Sequence, residues 1–511
     1  MKDLTKGNPV KAMCLFALPL FIGHLFQLFY GLADTRIVGS CLGDAALTSV
    51  YATTTLNDLI VGFLMGLTNG FAVITARNFG AGDMEKVRKS FASGIKLGLI
   101  VSAVLTVLSL VFLEDILRFL NTPEEHIIPG MEYIGVILGG MTFSMLYNTF
   151  AATLRAVGDT VAPLVFLIIS SFVNIGLDLM FIEVFHLGIG GAALATIVSQ
   201  ALSFIACLIY VIVRYPQLRL KISDFRTDLN LDRQLMGTGV SMGLMSSLVC
   251  LGTVVLQGAI NNLGPTIILA HGAARKVTNI FMLPFGIFGM TMATYCGQCY
   301  GAGEHRRVKK GVFAATGICW AWCLLVIIVS WTFVPVLIRL ITDTQNEEAV
   351  EWATTYLKFD TLLYFITAVI SPFRNALQGV GDHITPLVSS GLELVGKVLA
   401  AYTPTIGGVA EAVAKMAMGN GFGFKYNDEL TVEDIFGYNY GSFVVEVTEN
   451  VDDAMLIGFV TDDAAISYKA DNIALSDILN IYENKLESVY KCNIKDSKSP
   501  MENFSYNVET R

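Results

Sequence analysis

Charge is scarce in this sequence: 15% of its 511 residues are Asp, Glu, Lys or Arg, where soluble domains carry about 25%. With 54% hydrophobic residues and a mean hydropathy of +0.60, the chain reads as a membrane protein with something attached. A basic excess is missing as well. The net charge of -9 argues against a nucleic-acid partner, which needs a basic stripe to displace counterions. Nor do the nine cysteines form a disulfide framework. Cys14, Cys41, Cys207, Cys250, Cys296, Cys299, Cys319 and Cys323 sit in or beside apolar runs, where free Cys behaves as a small hydrophobe. Cys296-Gly-Gln-Cys299 has redox-motif spacing but no βαβ setting and no partner pair, so it reads as small residues at a helix end.

What the sequence has instead is apolar length. Segments able to cross about 30 Å of hydrocarbon lie near 12–37, 45–75, 90–113, 130–154, 161–183, 190–213, 235–260, 267–298, 311–338, 354–377 and 384–401, the last of them short. The N-terminal run continues past Tyr30 with no small-x-small cleavage site, so it reads as a retained first span and not a signal peptide. Alternate loops carry the basic residues. Lys2, Lys6 and Lys11 precede the first span; Lys86, Arg88 and Lys89 follow the second; Arg214, Arg219, Lys221, Arg226 and Arg233 follow the sixth; Arg306, Arg307, Lys309 and Lys310 follow the eighth. By the positive-inside rule these loops and the N-terminus are cytoplasmic, and the acidic loops "EDILRFLNTPEEH" and "TDTQNEEAVEW" lie outside.

The chain repeats itself. "FGAGDMEKVRK" from Phe79 matches "YGAGEHRRVKK" from Tyr300, and Leu42-Gly43 matches Leu263-Gly264, both 221 positions on (300 − 79, 264 − 43). "LRAVGDTVAPLV" from Leu154 matches "LQGVGDHITPLV" from Leu377 at 223 (377 − 154). Six spans per half return the chain to its starting side, so the halves are parallel repeats. Continued, the repeat predicts a twelfth span near 413–436. That window holds Glu411 at its edge and Lys415, Lys425, Asp428, Glu429, Glu433 and Asp434 within it. At roughly 3 kcal/mol for each charge near the bilayer centre, it cannot cross. The expected fold is therefore an all-α polytopic membrane protein of about eleven spans, two parallel six-helix repeats with the second incomplete, followed by a soluble α+β fragment. The expected divisions are an N-lobe at 1–215, an inter-lobe loop at 216–234, a truncated C-lobe at 235–401 and the fragment at 402–511.

Intramembrane polar residues are functional candidates by default. Asp34 lies in the first span; Asn174 and Asp178, four apart, share a face of the fifth; Thr196 lies in the sixth. Two carboxylates, an amide and a hydroxyl offer oxygen ligands to Na⁺ or a carboxyl able to carry a proton. The bland alternatives are a local polar pair at Asn174 and Asp178, or an Asp34 at the outer interface. Arg36 lies two residues on and should face elsewhere on the helix. Glu393 and Lys397 read as a structural ion pair, and Asp360, opening the tenth span, is a candidate second-lobe acid. Candidates for a substrate path are Phe29, Tyr30, Met65, Phe143, Met145, Tyr147, Met242, Met245, Met282 and Tyr364, since Met and aromatic side chains repack around varied apolar ligands. Pro19 removes a backbone hydrogen bond within the first span and marks either a hinge or a tolerated bend.

With its two parallel halves and the motifs "FALPLFIGHLFQLFYGLADTRIVGSCLG", "FGAGDMEKVRKS" and "LRAVGDTVAPL", residues 1–401 resemble the multidrug and toxic compound extrusion (MATE) family of cation-coupled antiporters. The resemblance implies V-shaped lobes around a central cavity and a monomer in the cell membrane. It also implies export of amphipathic, often cationic small molecules in exchange for H⁺ or Na⁺, with no cofactor and no enzymatic activity. Asp34, Asn174, Asp178 and Thr196 are the positions at which the family's N-lobe cation site matches. Some members carry a glutamate in the seventh span, where this chain offers Gln257 at most. A flippase for lipid-linked precursors is the alternative transport reading, and it would want intramembrane Arg or Lys.

From about Tyr402 the pattern changes. "GGVAEAVAKMAMG" reads as a small-residue helix, "TVED" as a capping box before "IFGYNYG", "SFVVEVTE" and "AMLIGFVT" as strands, and "LSDILNIYENKLESVY" as an amphipathic helix. "TPTIGGVAEAVAKMAMGNGFGF", "EDIFGYNYGSFVVEV" and "KLESVYKCNIKD" resemble part of phosphoribosylformylglycinamidine synthase, without its ATP-binding half and without a glutaminase Cys-His-Glu set, Cys492 standing alone. No synthase activity is expected. No Gly/Ser- or Pro-rich linker separates "KVLAA" from "AYTPTIGG", so the junction reads as a recent or artificial join of two reading frames, and a non-functional chimera is the remaining alternative.

Overall fold

A computed structural model describes residues 3–119, 122–226, 228–261, 265–342, 347–398, 422–436 and 455–484, with a few helical positions between 409 and 417. The chain divides into two compact units, residues 1–395 and 396–511.

The first unit is helical. Its elements are α1 (Pro9–Leu42), α2 (Asp44–Gly80), α3 (Met84–Val111), α4 (Leu113–Phe119), α5 (Glu124–Gly139), α6 (Met141–Ala156), α7 (Val161–Leu179), α8 (Gly188–Arg214), α9 (Leu229–Asn261), α10 (Pro265–Gly301), α11 (His305–Thr342), α12 (Glu347–Val380) and α13 (Ile384–Val398). Among the described residues, eight helices are long and apolar enough to cross a membrane, or nine if the bent pair α5–α6 is one span. The segment 130–154, read as one span, is that pair: the chain bends by 45° at Gly139-Gly140, where the Ile197 side chain takes the space a Cβ on Gly140 would fill. The acidic stretch after α3 contains the short helix α4, where Arg118 pairs with Glu114 at 3.0 Å. α12 and α13, which lie at the expected spans 354–377 and 384–401, are not among those eight, and α13 runs up to Val398, where that stretch of described residues ends.

The repeated loop motifs are helix stops and starts. Gly158 (φ +85°) turns the chain in a conformation side chains resist, and Asp159 Oδ1 then accepts from Val161 N and Ala162 N at 3.2 and 3.1 Å to begin α7. Gly381 (φ +101°) and Asp382 do the same for α13, at 3.2 and 3.0 Å from Ile384 N and Thr385 N. Upstream, the Asn8 side chain caps α1, with Pro9 at its first position.

Packing shows which spans are central. The apolar windows of α2 and α10 are 61% and 67% buried, against 22% for α3, whose Ile100, Val104, Val107 and Val111 face outward. One hydrophobic core joins α2 to α5 and α6 through Leu64, Leu67, Ile134 and Met145; another joins α10, α11 and α12 through Phe285, Cys323, Leu357 and Tyr364. Two seams bind these lobes. Along the first, Gly66 and Gly70 of α2 meet Gly239 and Gly243 of α9, so closely that a Cβ on Gly66 would lie 2.5 Å from Met242 O. Both pairs are Gly-x-x-x-Gly, the spacing at which helix backbones approach in membranes. Along the second, Met13, Phe16 and Leu20 of α1 pack with Ile287, Met292 and Tyr295 of α10. Further on, α1 leaves α10 for α7, Gly23 lying against Leu164 and Leu167, so Pro19 falls where the helix passes from one lobe to the other. At the basic end Gln298 donates to Ala156 O at 2.7 Å and accepts from Leu4 N at 3.0 Å, while Arg307 donates to Leu4 O, Lys6 O and Gly7 O.

The second unit carries a four-stranded sheet in the order β2-β1-β3-β4, with β1 Gly423–Tyr426, β2 Gly458–Thr461, β3 Ala465–Tyr468 and β4 Asp471–Ala474. β1 pairs antiparallel with β2 and parallel with β3, and β3 with β4 forms a hairpin turning at Lys469 (φ +53°). Val409, Val413, Tyr426, Leu430 and Ile435 form its core. The expected capping box is present: Thr431 N donates to Asp434 Oδ2 at 2.8 Å and Asp434 N to Thr431 Oγ1 at 3.2 Å, opening the helix Val432–Phe436. Of the expected strand "AMLIGFVT" the last four residues are strand, and the amphipathic helix is described over Leu475–Asn484. "SFVVEVTE", Cys492 and the side chains of Glu393 and Lys397 lie outside the described residues.

Candidate functional site

α7 carries Asn174 and Asp178 on one buried face and is followed, after Leu179, by a single π-helical turn, Met180–Val184. π-bulges of this kind recur at functional sites. α1 brings Asp34 to the same place, its carboxyl within hydrogen-bonding reach of the Asp178 carboxyl. Two carboxylates have only acceptors to offer one another, so that contact needs a shared proton or a bound cation. With its amide oriented to suit its neighbours, Asn174 donates to Asp178 Oδ2 at 3.2 Å and accepts from Thr196 N of α8 at 3.2 Å. Asp34 Oδ1 and Asp178 Oδ1 are buried with no hydrogen-bond partner. In a low-dielectric lobe such oxygens are costly unless a proton or cation takes them. Asp34, Asn174, Asp178 and Thr196, far apart in sequence, thus meet in one cluster on α1, α7 and α8, and Arg36 is exposed.

Two tyrosines close the cluster. Tyr30 of α1 and Tyr133 of α5 both stand within electrostatic reach of the two carboxylates, and the Thr196 hydroxyl donates to Ala192 O at 3.3 Å. Tyr133 was not singled out in the sequence, although a phenol within an apolar span generally finds a polar partner.

Asp360 sits well inside α12, which begins at Glu347 and not at the apolar run. Its Oδ2 accepts from Thr278 Oγ1 at 3.1 Å and Tyr364 OH at 2.8 Å, with Arg275 of α10 nearby. Gln257 is half-buried on α9. Cys296 and Cys299 are buried on α10 beside Met13 and Phe16, and no group of three or more metal-ligating side chains occurs among the described residues.

Between the lobes lies a cavity of about 20 Å³, lined by Phe16, Asn69, Arg155, Met242, Met290 and Thr294 among others. It is water-sized, whereas drug-sized ligands need about 300 Å³ or more, so it holds no such ligand in this conformation. Of the path candidates Met242 lines it, and Met245 Sδ accepts from Gln378 Nε2 at 3.6 Å nearby. Met145 and Tyr147 pack inside the N-lobe, Met282 and Tyr364 belong to the C-lobe core, Met65 is half-buried on α2, and Phe29 and Phe143 are exposed. Arg155 was not singled out either; its motif was read as a loop, and only the packing of α6 against α2 carries its side chain inward.

A family model described as MatE matches the chain twice, over residues 19–180 and 242–403. The chain is 29% identical over 393 residues to the "Probable multidrug resistance protein YpnP" of Bacillus subtilis (strain 168), covering 76% of this chain and 86% of that protein. It is 26% identical over 390 residues to the "Multidrug export protein MepA" of Staphylococcus aureus (strain MSSA476), covering 74% and 83%. The fold superposes on a structure titled "Outward-facing conformation of a multidrug resistance MATE family transporter of the MOP superfamily" with a TM-score of 0.72 at 22% identity, over 77% of this chain and 87% of that one.

Proposed function

The chain belongs to the MatE family, and from that premise we propose that it is a multidrug efflux transporter that exports amphipathic or cationic compounds in exchange for H⁺ or Na⁺. The observation that carries the coupling is the Asp34–Asp178 contact, two carboxyls meeting inside the N-lobe with a buried, unpartnered oxygen on each. A proton shared between them, or a Na⁺ taking those oxygens with Asn174 and Thr196 close by, satisfies the pair in one state of the cycle and leaves it charged in the other. The lobes then exchange access by separating at one end and closing at the other, with the cavity between them as the path. On this reading the basic ends of the helices and the N-terminus are cytoplasmic, the transporter works as a monomer in the cell membrane, and Asp360 is an accessory acid.

Residues from about 402 are proposed to be a fragment of a phosphoribosylformylglycinamidine synthase-like domain without its catalytic parts, contributing no enzymatic activity. The experiment for the transport reading is efflux of a fluorescent cationic dye from vesicles holding the full chain. Imposed proton or sodium gradients should drive it, and efflux that ignores both gradients sinks the coupling.

A further inference from the structure

Arg155 ends α6 with its side chain directed into the inter-lobe cavity. Its Nη2 donates to Asn69 Oδ1 at 3.1 Å, a neutral partner. Among the described residues no carboxylate stands near it; the charged or titratable groups around the guanidinium are Tyr147, Cys207 and His24. A guanidinium has five N–H donors, and one held half-buried without a counter-charge leaves most of them unmet. Asn69 is incompletely used as well. Its Oδ1 faces Arg155 while its Nδ2 reaches only Met290 Sδ at 4.0 Å, longer than a good hydrogen bond. Arg155 and Asn69 therefore aim donors at one small space.

The repeat sharpens the point. The residue matching Arg155 in the second half is Gln378, fully buried and neutral. The fold tolerates an uncharged amide at this junction, so helix packing does not require the N-lobe charge.

We propose that Arg155 and Asn69 form an anion subsite in the transport path, binding a carboxylate or other oxyanion borne by the transported compound. An arginine fork takes a carboxylate through two parallel charge-assisted hydrogen bonds, and the Asn69 amide adds a third donor. The substrate range then includes zwitterionic and anionic amphiphiles besides cations. This rests on reading the inter-lobe cavity as the path.

The test is equilibrium binding to the purified full chain of a xanthene dye with a free carboxylate and of the same dye as its methyl ester, in chloride and in gluconate buffers. Arg155→Gln should weaken the acid by about tenfold or more, the scale of a lost charge-assisted pair, and leave the ester nearly unchanged. Asn69→Asp keeps the shape and neutralises the guanidinium in place, so it should do the same even if Arg155→Gln folds poorly. Equal losses for acid and ester, or an acid preference that both variants keep, overturn the subsite. Chloride binding that needs Arg155 without any acid preference overturns it too, assigning the place to a free ion. Binding needs no gradient, so failure of gradient-driven efflux with the acid preference intact would sink the coupling reading alone.

Discussion

The same family model matches both lobes, yet they treat their inward-facing acids in opposite ways. In the N-lobe, Asp34 and Asp178 face each other, and each keeps a buried oxygen without a partner. In the C-lobe, Asp360 is given two hydroxyl donors, Thr278 and Tyr364, and an arginine nearby. Both hydroxyls reach one oxygen of Asp360, Oδ2, whose demand is met inside the lobe, whereas the facing N-lobe carboxyls have no protein donor on either Oδ1 and are poised for a proton or a cation. This contrast is why the proposal assigns coupling to the N-lobe.

The largest effect should come from breaking that asymmetry. Asp178→Asn and Asp34→Asn are each expected to cut gradient-driven dye efflux by about a hundredfold, the lower range for losing a proton-transferring group. Asp360→Asn should leave it within a few-fold, because the amide still accepts from both hydroxyls. Efflux rates in vesicles at matched protein content decide this. Equal damage from all three would mean that both lobes couple.

The lobes also differ in how they can be separated from each other. At the α2–α9 seam, Gly66→Leu or Gly243→Leu drives a side chain into opposing backbone and should destabilise the fold by about 1–3 kcal/mol, as overpacking does. Gly62, one turn away on α2, is the control, because a methyl added there would meet nothing within 4 Å. Gly62→Ala should be neutral or stabilising by about 0.5–1 kcal/mol through helix propensity. Melting in detergent separates the two, and a seam that accepts leucine without loss would mean the lobes are not held there.

Much of this was readable before folding. Long apolar runs pointed to spans, the motifs around 158–159 and 381–382 stood out as a repeat that the fold shows to be matching turns and helix starts, and Thr431 with Asp434 announced a capping box. These signals are local, set by backbone sterics and by neighbours within a turn. Asn174 and Asp178 were placed on one face by helical period alone. What the period could not supply was Tyr133 beside the carboxylates, or Arg155 turned into the cavity while Met145 turns away from it onto Gly98. Those positions depend on how helices distant in sequence are rotated against one another. The Gly-x-x-x-Gly pairs of α2 and α9 did encode one such rotation, as small residues at matched spacing.

The smallest effect tests the two matching caps. Asp159 starts α7 and also accepts from Tyr210 OH and Tyr215 OH at 3.1 and 2.7 Å, whereas Asp382 starts α13 and holds only its own turn, through Thr385. Asp382→Ala should cost about 1 kcal/mol, the usual worth of a helix cap, and Asp159→Ala should cost more, because two tyrosine hydroxyls lose their acceptor. The Thr385 side chain and backbone hold the Asp382 carboxyl below its ordinary range. Its stabilisation is then complete above the unfolded value of about 3.9 and is lost as pH falls through the lower folded value. Asp382→Asn keeps the acceptor and removes the titration. Melting curves taken downward from about pH 5 should fall more steeply for the parent chain than for Asp382→Asn, and parallel curves would mean that this cap carries no charge-dependent share of the stability.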